Sequence, residues 1–155
     1  MMNNTDQPVN FFNVRAYGIL INERQEVLVS DERQYDQEFT KFPGGGVELG
    51  EGVRTALIRE FQEECGVLIE PIRQIYATEH FIHSAFNDSQ LIGIYYLVRA
   101  VRESDLKQIP LDPLPPKIQP AQAFRWIPLK EFNESQLTFE VDQDGWRHYL
   151  KNQPL

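Results

Sequence analysis

Three consecutive glycines behind a proline, Pro43-Gly44-Gly45-Gly46, constrain this chain more than any other stretch. Glycine has no β-carbon, so the backbone there can bend sharply and approach other groups closely. Phe39 to Phe42 leads into the glycines as a short extended run, and Glu51 to Cys65 follows with helical spacing of its apolar residues. Gly66 is placed to stop that helix. At roughly 100° per residue, Leu57, Ile58, Phe61 and Cys65 form a stripe suited to packing on a sheet. Glu60, Glu63 and Glu64 fall in a neighbouring arc of about 100°. Like charges three and four residues apart weaken a helix by some tenths of a kcal/mol per pair, so a compensating cation is expected. An acidic helix face taken alone is ordinarily a solvated surface. Magnesium, a hard cation that takes oxygen ligands, suits this cluster, and no Cys/His set with zinc spacing competes for the role.

Around this unit the order of elements is mixed. Val14 to Ile21 and Glu26 to Ser30 read as two strands about the polar turn 22–25, with Asp31 to Glu38 as a loop. Strand signals return at Pro71 to Ile82, Leu91 to Val101 and Ala123 to Ile127. A helical turn is expected at Leu129 to Phe132 and a closing helix at Val141 to Lys151. Residues 102–122 hold five of the ten prolines and show no element of their own, which predicts a long Pro-rich loop. Hydrophobic pattern alone supports α/β or α+β. The length of 155 residues predicts one domain spanning 1–155, with residues 1–10 as a flexible N-terminal tail.

Fifteen Lys and Arg against 23 Asp and Glu give a net charge of -8, which argues against stable nucleic-acid binding. An acidic protein that handles an anionic substrate needs metal cations between the two. The single Cys65 excludes an internal disulfide and reads as a small core residue. With no signal-like start and no membrane-length apolar run, the expectation is a cytoplasmic protein without a membrane partner.

The stretch Gly45 to Val67 resembles the Nudix family, whose box is G-x5-E-x7-R-E-U-x-E-E-x-G-U, with U a large apolar residue. Gly45 opens it, Glu51 follows after five residues, and seven more lead to Arg59, Glu60, Phe61, Gln62, Glu63, Glu64, Cys65, Gly66 and Val67. Phe61 stands where an aliphatic is more usual. The resemblance implies an α/β/α sandwich around a mixed β-sheet and a hydrolase that cleaves pyrophosphate bonds. It implies that Glu60, Glu63 and Glu64 bind Mg2+, with Mn2+ as the alternative ion, helped by a backbone carbonyl of Gly44 or Gly45. Arg59 would orient a glutamate, Glu51 would brace the loop at the helix start, and Gly66 would be structural.

The substrate implied first is ADP-ribose or another nucleoside diphosphate sugar. The alternatives are a nucleoside triphosphate, or a module that senses nucleotides without turning them over. Downstream positions that distinguish some relatives hold Ile82, His83, Ser84 and Ala85 here and match neither of two known signatures. Many Nudix enzymes carry a further glutamate before the tryptophan-containing strand, yet residues 117–125 before Trp126 hold no carboxylate. Glu63 is therefore the expected base, with Glu79, Glu103, Asp105 and Asp112 as outside candidates. His80 and His83 read first as surface or core histidines. Among Tyr76, Phe81, Phe86, Tyr95, Tyr96 and Trp126, one or two are expected to stack on a base and the rest to fill the core. The partner expected is a small nucleotide, and a homodimer is the candidate assembly.

Overall fold

The computed structural model describes residues 8–153. Of the expected tail, residues 1–7 lie outside the described residues, while Asn10 is tied by its backbone N–H to the carbonyl of Asp88 at 2.8 Å. Strands β1 (Phe11–Leu20), β2 (Glu26–Gln34), β3 (Gln37–Lys41) and β4 (Gly44–Gly46) precede helix α1 (Val53–Cys65). Then come β5 (Ile69–Ala77), β6 (Ser89–Ala100), β7 (Ala121–Pro128) and helix α2 (Glu140–Lys151).

Two sheets form. One has the order β4-β1-β6-β5 and the other β3-β2-β7. Strands β1 and β6 run parallel while their outer neighbours are antiparallel, so the first sheet is mixed as expected. Residues alternate between the two faces of a strand. Ala16 and Leu20 of β1 and Tyr96 and Val98 of β6 join one core with Leu57, Phe61 and Cys65 of α1. Tyr17, Ile19 and Tyr95 face the other way and join a second core with Val141, Trp146 and Tyr149 of α2. Each helix thus covers one face of the mixed sheet. The predicted stripe of α1 is the buried one, and Gly66 ends the helix at φ 71° with its N–H donating to the carbonyl of Gln62.

The turn at 22–25 stands between β1 and β2 as expected, and these strands part into different sheets after a single bridge between Ile21 and Val27. Two expectations need correction. The expected loop Asp31 to Glu38 is instead a β2–β3 hairpin whose tip, Tyr35-Asp36, has φ of 52° and 59°. Two positive φ values in succession match the right-handed twist of the flanking strands, and this turn achieves them without the glycine that normally marks it. The segment 102–122 opens with a short 3-10 turn at Glu103–Gln108 that buries Leu106 against the end of β6.

Candidate functional site

The glycines are where two strands and a helix approach most closely. Gly44 to Gly46 pair antiparallel with Tyr17 to Arg15 of β1. At Gly44, φ is 148° and a β-carbon would run into the carbonyl oxygen of Ala16, so only glycine fits. At Gly45 a β-carbon would meet the carboxyl group of Glu60 instead, at 2.5 Å from Oε2. The absence of side chains at 44 and 45 therefore lets the sheet accept α1 with an acid against its backbone.

Arg59 ties the acids together. Its Nε and Nη2 donate to Glu51 at 3.1 and 2.6 Å, its Nη1 donates to Glu60 at 2.9 Å and to Glu63 at 3.2 Å, and Nη2 also reaches the Gly46 carbonyl at 2.9 Å. Glu51 lies just before the helix, since Gly52 is the N-cap, and it also accepts the backbone N–H of Glu48 at 3.0 Å. The hydrogen bonds from Arg59 and then Glu48 hold the Glu51 carboxyl down at about 2. Those from Glu51 and Glu60 raise the Arg59 guanidinium above its ordinary value. One cation thus offsets part of the repulsion along α1 and fixes the acid side chains to the glycine loop.

Glu64 has a different environment. Its Oε2 is buried with no hydrogen-bond partner among the described residues. Burial, with Glu60 and Glu32 adding to it against the opposing pull of Lys41, raises its carboxyl to about 7. Lys41 is itself buried and bonds Glu32 at 3.0 Å, with longer contacts of 3.4 Å from Nζ to the carbonyls of Phe42 and Gly44. Burial opposes the Lys41 charge, but Glu32, Tyr17 and Glu64 more than offset it and hold its pKa above the usual value. The donors offered here are carboxylates and a glycine carbonyl, one of them an orphaned buried oxygen. That all-oxygen set fits a hard divalent cation such as magnesium, and Glu60, Glu63 and Glu64 with Gly44 or Gly45 could hold it.

A cleft of about 360 Å³ includes Glu32 and Lys41, the two charged residues that act on Glu64. Arg15, Tyr17, Glu32 and Lys41 line its inner end. Its outer wall is aromatic, with Phe39 and Phe86 rings 5.2 Å apart and Tyr35 and Phe139 packed on them. Asn13, Gln34, His83 and Asn87 supply polar edges. His83 bonds the Ser84 carbonyl through Nδ1 at 2.8 Å and leaves Nε2 buried without a partner among the described residues. His80 pairs with Glu140 at 3.1 Å and is exposed.

The four outside carboxylates are not brought to the acid face. Glu103 accepts the backbone N–H of Glu23 in the β1–β2 turn, and Asp105 pairs with Arg102. Asp112 lines a separate hollow with Asp31, Thr40 and Arg125, and Glu79 is exposed past the end of β5. The acids that line the cleft are Glu32, which sequence reasoning placed in a loop, and Glu140 at the start of α2. Arg15 and Lys41 were missed as well. The available signal was that each is a lone charge inside a run of strand-forming residues. Of the expected base-stacking aromatics, Phe86 lines the cleft, whereas Tyr76, Tyr95 and Tyr96 are core.

A family model described as the NUDIX domain matches residues 12–149. The chain is 25% identical over 134 residues to an RNA pyrophosphohydrolase of Actinobacillus pleuropneumoniae, covering 83% of this chain and 55% of that one. It is 40% identical over 55 residues to the 8-oxo-dGTP diphosphatase of Escherichia coli, covering 34% of this chain and 42% of the relative. The chain thus spans about half the length of these curated relatives. Among solved structures, the MutT protein of Methanosarcina mazei superposes with a TM-score of 0.68 at 17% identity, over 96% of this chain and 99% of that one. At that identity the likeness concerns the fold alone.

Proposed function

The chain belongs to the Nudix family, a family of hydrolases of phosphoric anhydride bonds, and we propose that it cleaves the P–O–P link of a nucleoside diphosphate joined to another group, with a divalent metal held by Glu60, Glu63 and Glu64. The observation that carries this reading is the junction of two features. An aromatic cleft large enough for one nucleoside is lined by Arg15, Glu32 and Lys41, whose charges act on Glu60 and Glu64 of α1. The base would lie against Phe39 and Phe86, with Asn13, Gln34 or Asn87 available to its edge. The phosphates would then extend inward past Arg15 and Lys41 towards Glu60, Glu63 and Glu64.

A bound magnesium ion would neutralise charge on the phosphoryl oxygens and lower the pKa of a water molecule. Within the chain, Arg59 holds Glu60 and Glu63 in place and the glycine loop fixes their distance from the sheet. Glu63 is the most exposed acid of the three and takes the proton as the water oxygen bonds to phosphorus. The bridging oxygen leaves with the electrons of the broken P–O bond, as part of a nucleoside phosphate or of the other product. In this scheme Glu32 stays paired with Lys41. Residues 12–149 act as one Nudix domain in this reading, in a cytoplasmic setting.

The first substrate class is the nucleoside diphosphate sugars, ADP-ribose among them, because the cleft accounts for one nucleoside and leaves the second moiety beyond the phosphates, outside the cleft. The relative named 8-oxo-dGTP diphosphatase makes a nucleoside triphosphate the second reading. A panel of sugar-linked diphosphates and plain triphosphates, assayed with magnesium for released products, tests both. Preference for the sugar-linked compounds supports the first class, comparable turnover of the triphosphates replaces it with the second, and no turnover of any member contradicts the hydrolase reading.

A further inference from the structure

Arg15 is a cation without a carboxylate partner in a molecule where most arginines near acids are paired. Among the described residues its one hydrogen bond runs from Nε to the Tyr17 hydroxyl, at 2.7 Å, and its guanidinium carbon sits 5.8 Å from the Tyr17 ring centre. Tyr17 therefore fixes the plane of the guanidinium while occupying only the Nε edge. The terminal nitrogens Nη1 and Nη2 have no hydrogen-bond partner among the described residues, and Arg15 is one of the residues lining the cleft.

Its position is set by backbone pairing. Arg15 stands opposite Gly46 in the β1–β4 register, and Nη1 is 3.8 Å from where a β-carbon on Gly46 would be. On the next strand pair position, Glu60 is packed against Gly45. Arg15 is thus held one residue along from the acid that the glycine loop supports, on the cleft side. A guanidinium presents two parallel donors that match two oxygens of one phosphate, which an ammonium cannot do.

The geometry points to Arg15 as the residue that grips a phosphate of the substrate by a two-pronged contact, from the cleft side and independently of the metal-bearing acids. This rests on the cleft being the substrate site. Arg15 selects substrates with a second charged phosphate next to the one above the helix acids, and it leaves the base and sugar to the aromatic end. It is a binding and specificity residue, and the proton chemistry stays with the α1 acids.

The test uses inorganic pyrophosphate, which needs no base recognition, titrated calorimetrically into the full-length protein at fixed magnesium. Magnesium alone is titrated in parallel, with melting temperature as a check on folding. Arg15→Gln is expected to weaken pyrophosphate binding by about tenfold or more, the scale of a lost charge-assisted contact. Magnesium binding should not weaken, since the lost charge is a cation acting on Glu60. Arg15→Lys should restore part of the affinity, because charge returns without the fork. With a turned-over substrate, KM should rise more than kcat falls. Unchanged pyrophosphate affinity in Arg15→Gln, an equal loss of magnesium binding, or no pyrophosphate binding by the unmodified protein would each overturn the assignment. A protein that bound pyrophosphate through Arg15 yet turned over no nucleotide would count against the hydrolase reading alone.

Discussion

The carboxyl group of Glu60 lies so close to the backbone of Gly45 that a β-carbon at 45 would stand 2.5 Å from its Oε2. The two residues come from different elements, a three-residue strand and a helix, and meet only because the glycine has no side chain. Gly45→Ala should therefore push Glu60 aside without unfolding the protein, since the obstructing atoms are the far end of a side chain. Magnesium affinity and kcat are expected to fall by about tenfold or more, while stability changes by less than ~1 kcal/mol. Gly44→Ala meets the carbonyl of Ala16 and a φ of 148°, so it should instead cost more than ~2 kcal/mol in chemical denaturation. Equal effects of the two substitutions on stability would contradict this division of roles.

The Lys41–Glu32 pair, at 3.0 Å with side chains 7% and 17% exposed, is a buried ion pair that cannot lose one member cheaply. Lys41→Met should destabilise the protein by about 3 kcal/mol, because Glu32 keeps its charge with only the Ser30 hydroxyl to satisfy it. The double variant Lys41→Met with Glu32→Gln should recover much of that loss. Urea denaturation of the three variants checks this, and a single variant as stable as the original chain would show that solvent already screens the pair.

Glu64 makes the metal-free protein sensitive to pH. Burial raises its carboxyl to about 7 from an ordinary 4.5, so the folded state keeps a proton that the unfolded state releases between those values. The unfolded chain binds fewer protons in that window, and stability must fall as pH rises through it. The contribution is fully present below about pH 4.5, is lost above about pH 7, and amounts to about 3 kcal/mol at most. Asp142, which accepts from the Tyr95 hydroxyl at 2.9 Å and is raised to about 6 chiefly by burial, acts in the same direction at lower pH. With EDTA present, Glu64→Gln should flatten the stability profile above pH 6 and leave below it only the shallower slope that Asp142 contributes. An unchanged profile above pH 6 would place the Glu64 carboxyl in solvent.

The helix and its acid face were legible in the sequence because one element carries both signals: an apolar stripe sets the buried side, and the acids follow by angle. The glycines were legible for the same reason, since they precede that helix directly. The β2–β3 hairpin was not. Its outer residues, Glu32 and Gln34 on one side and Asp31 on the other, line polar hollows on both faces, so no hydrophobic alternation marks the strand. Its turn, Tyr35-Asp36, also lacks glycine. Arg15, Glu32 and Lys41 sit on three strands from two sheets, and nothing local in the chain says they meet. Glu103 and Asp105 were plausible outside bases only while their segment read as a free loop. Burying Leu106 and Ile109 instead docks it beside the end of β6 and aims Glu103 at the β1–β2 turn.

In the proposed mechanism the carboxylates of α1 and a divalent ion perform the hydrolysis together. Glu63 is 59% exposed and its one hydrogen bond within the structure is to Arg59, so Glu63→Gln should leave the fold intact while removing a charged oxygen. The decisive measurement is turnover of the best substrate across a magnesium titration, for the unmodified chain and for Glu63→Gln. A loss on the order of a hundredfold or more in kcat that saturating magnesium does not restore, at an unchanged melting temperature, is the predicted result. Near-normal turnover by Glu63→Gln throughout the titration would contradict the account.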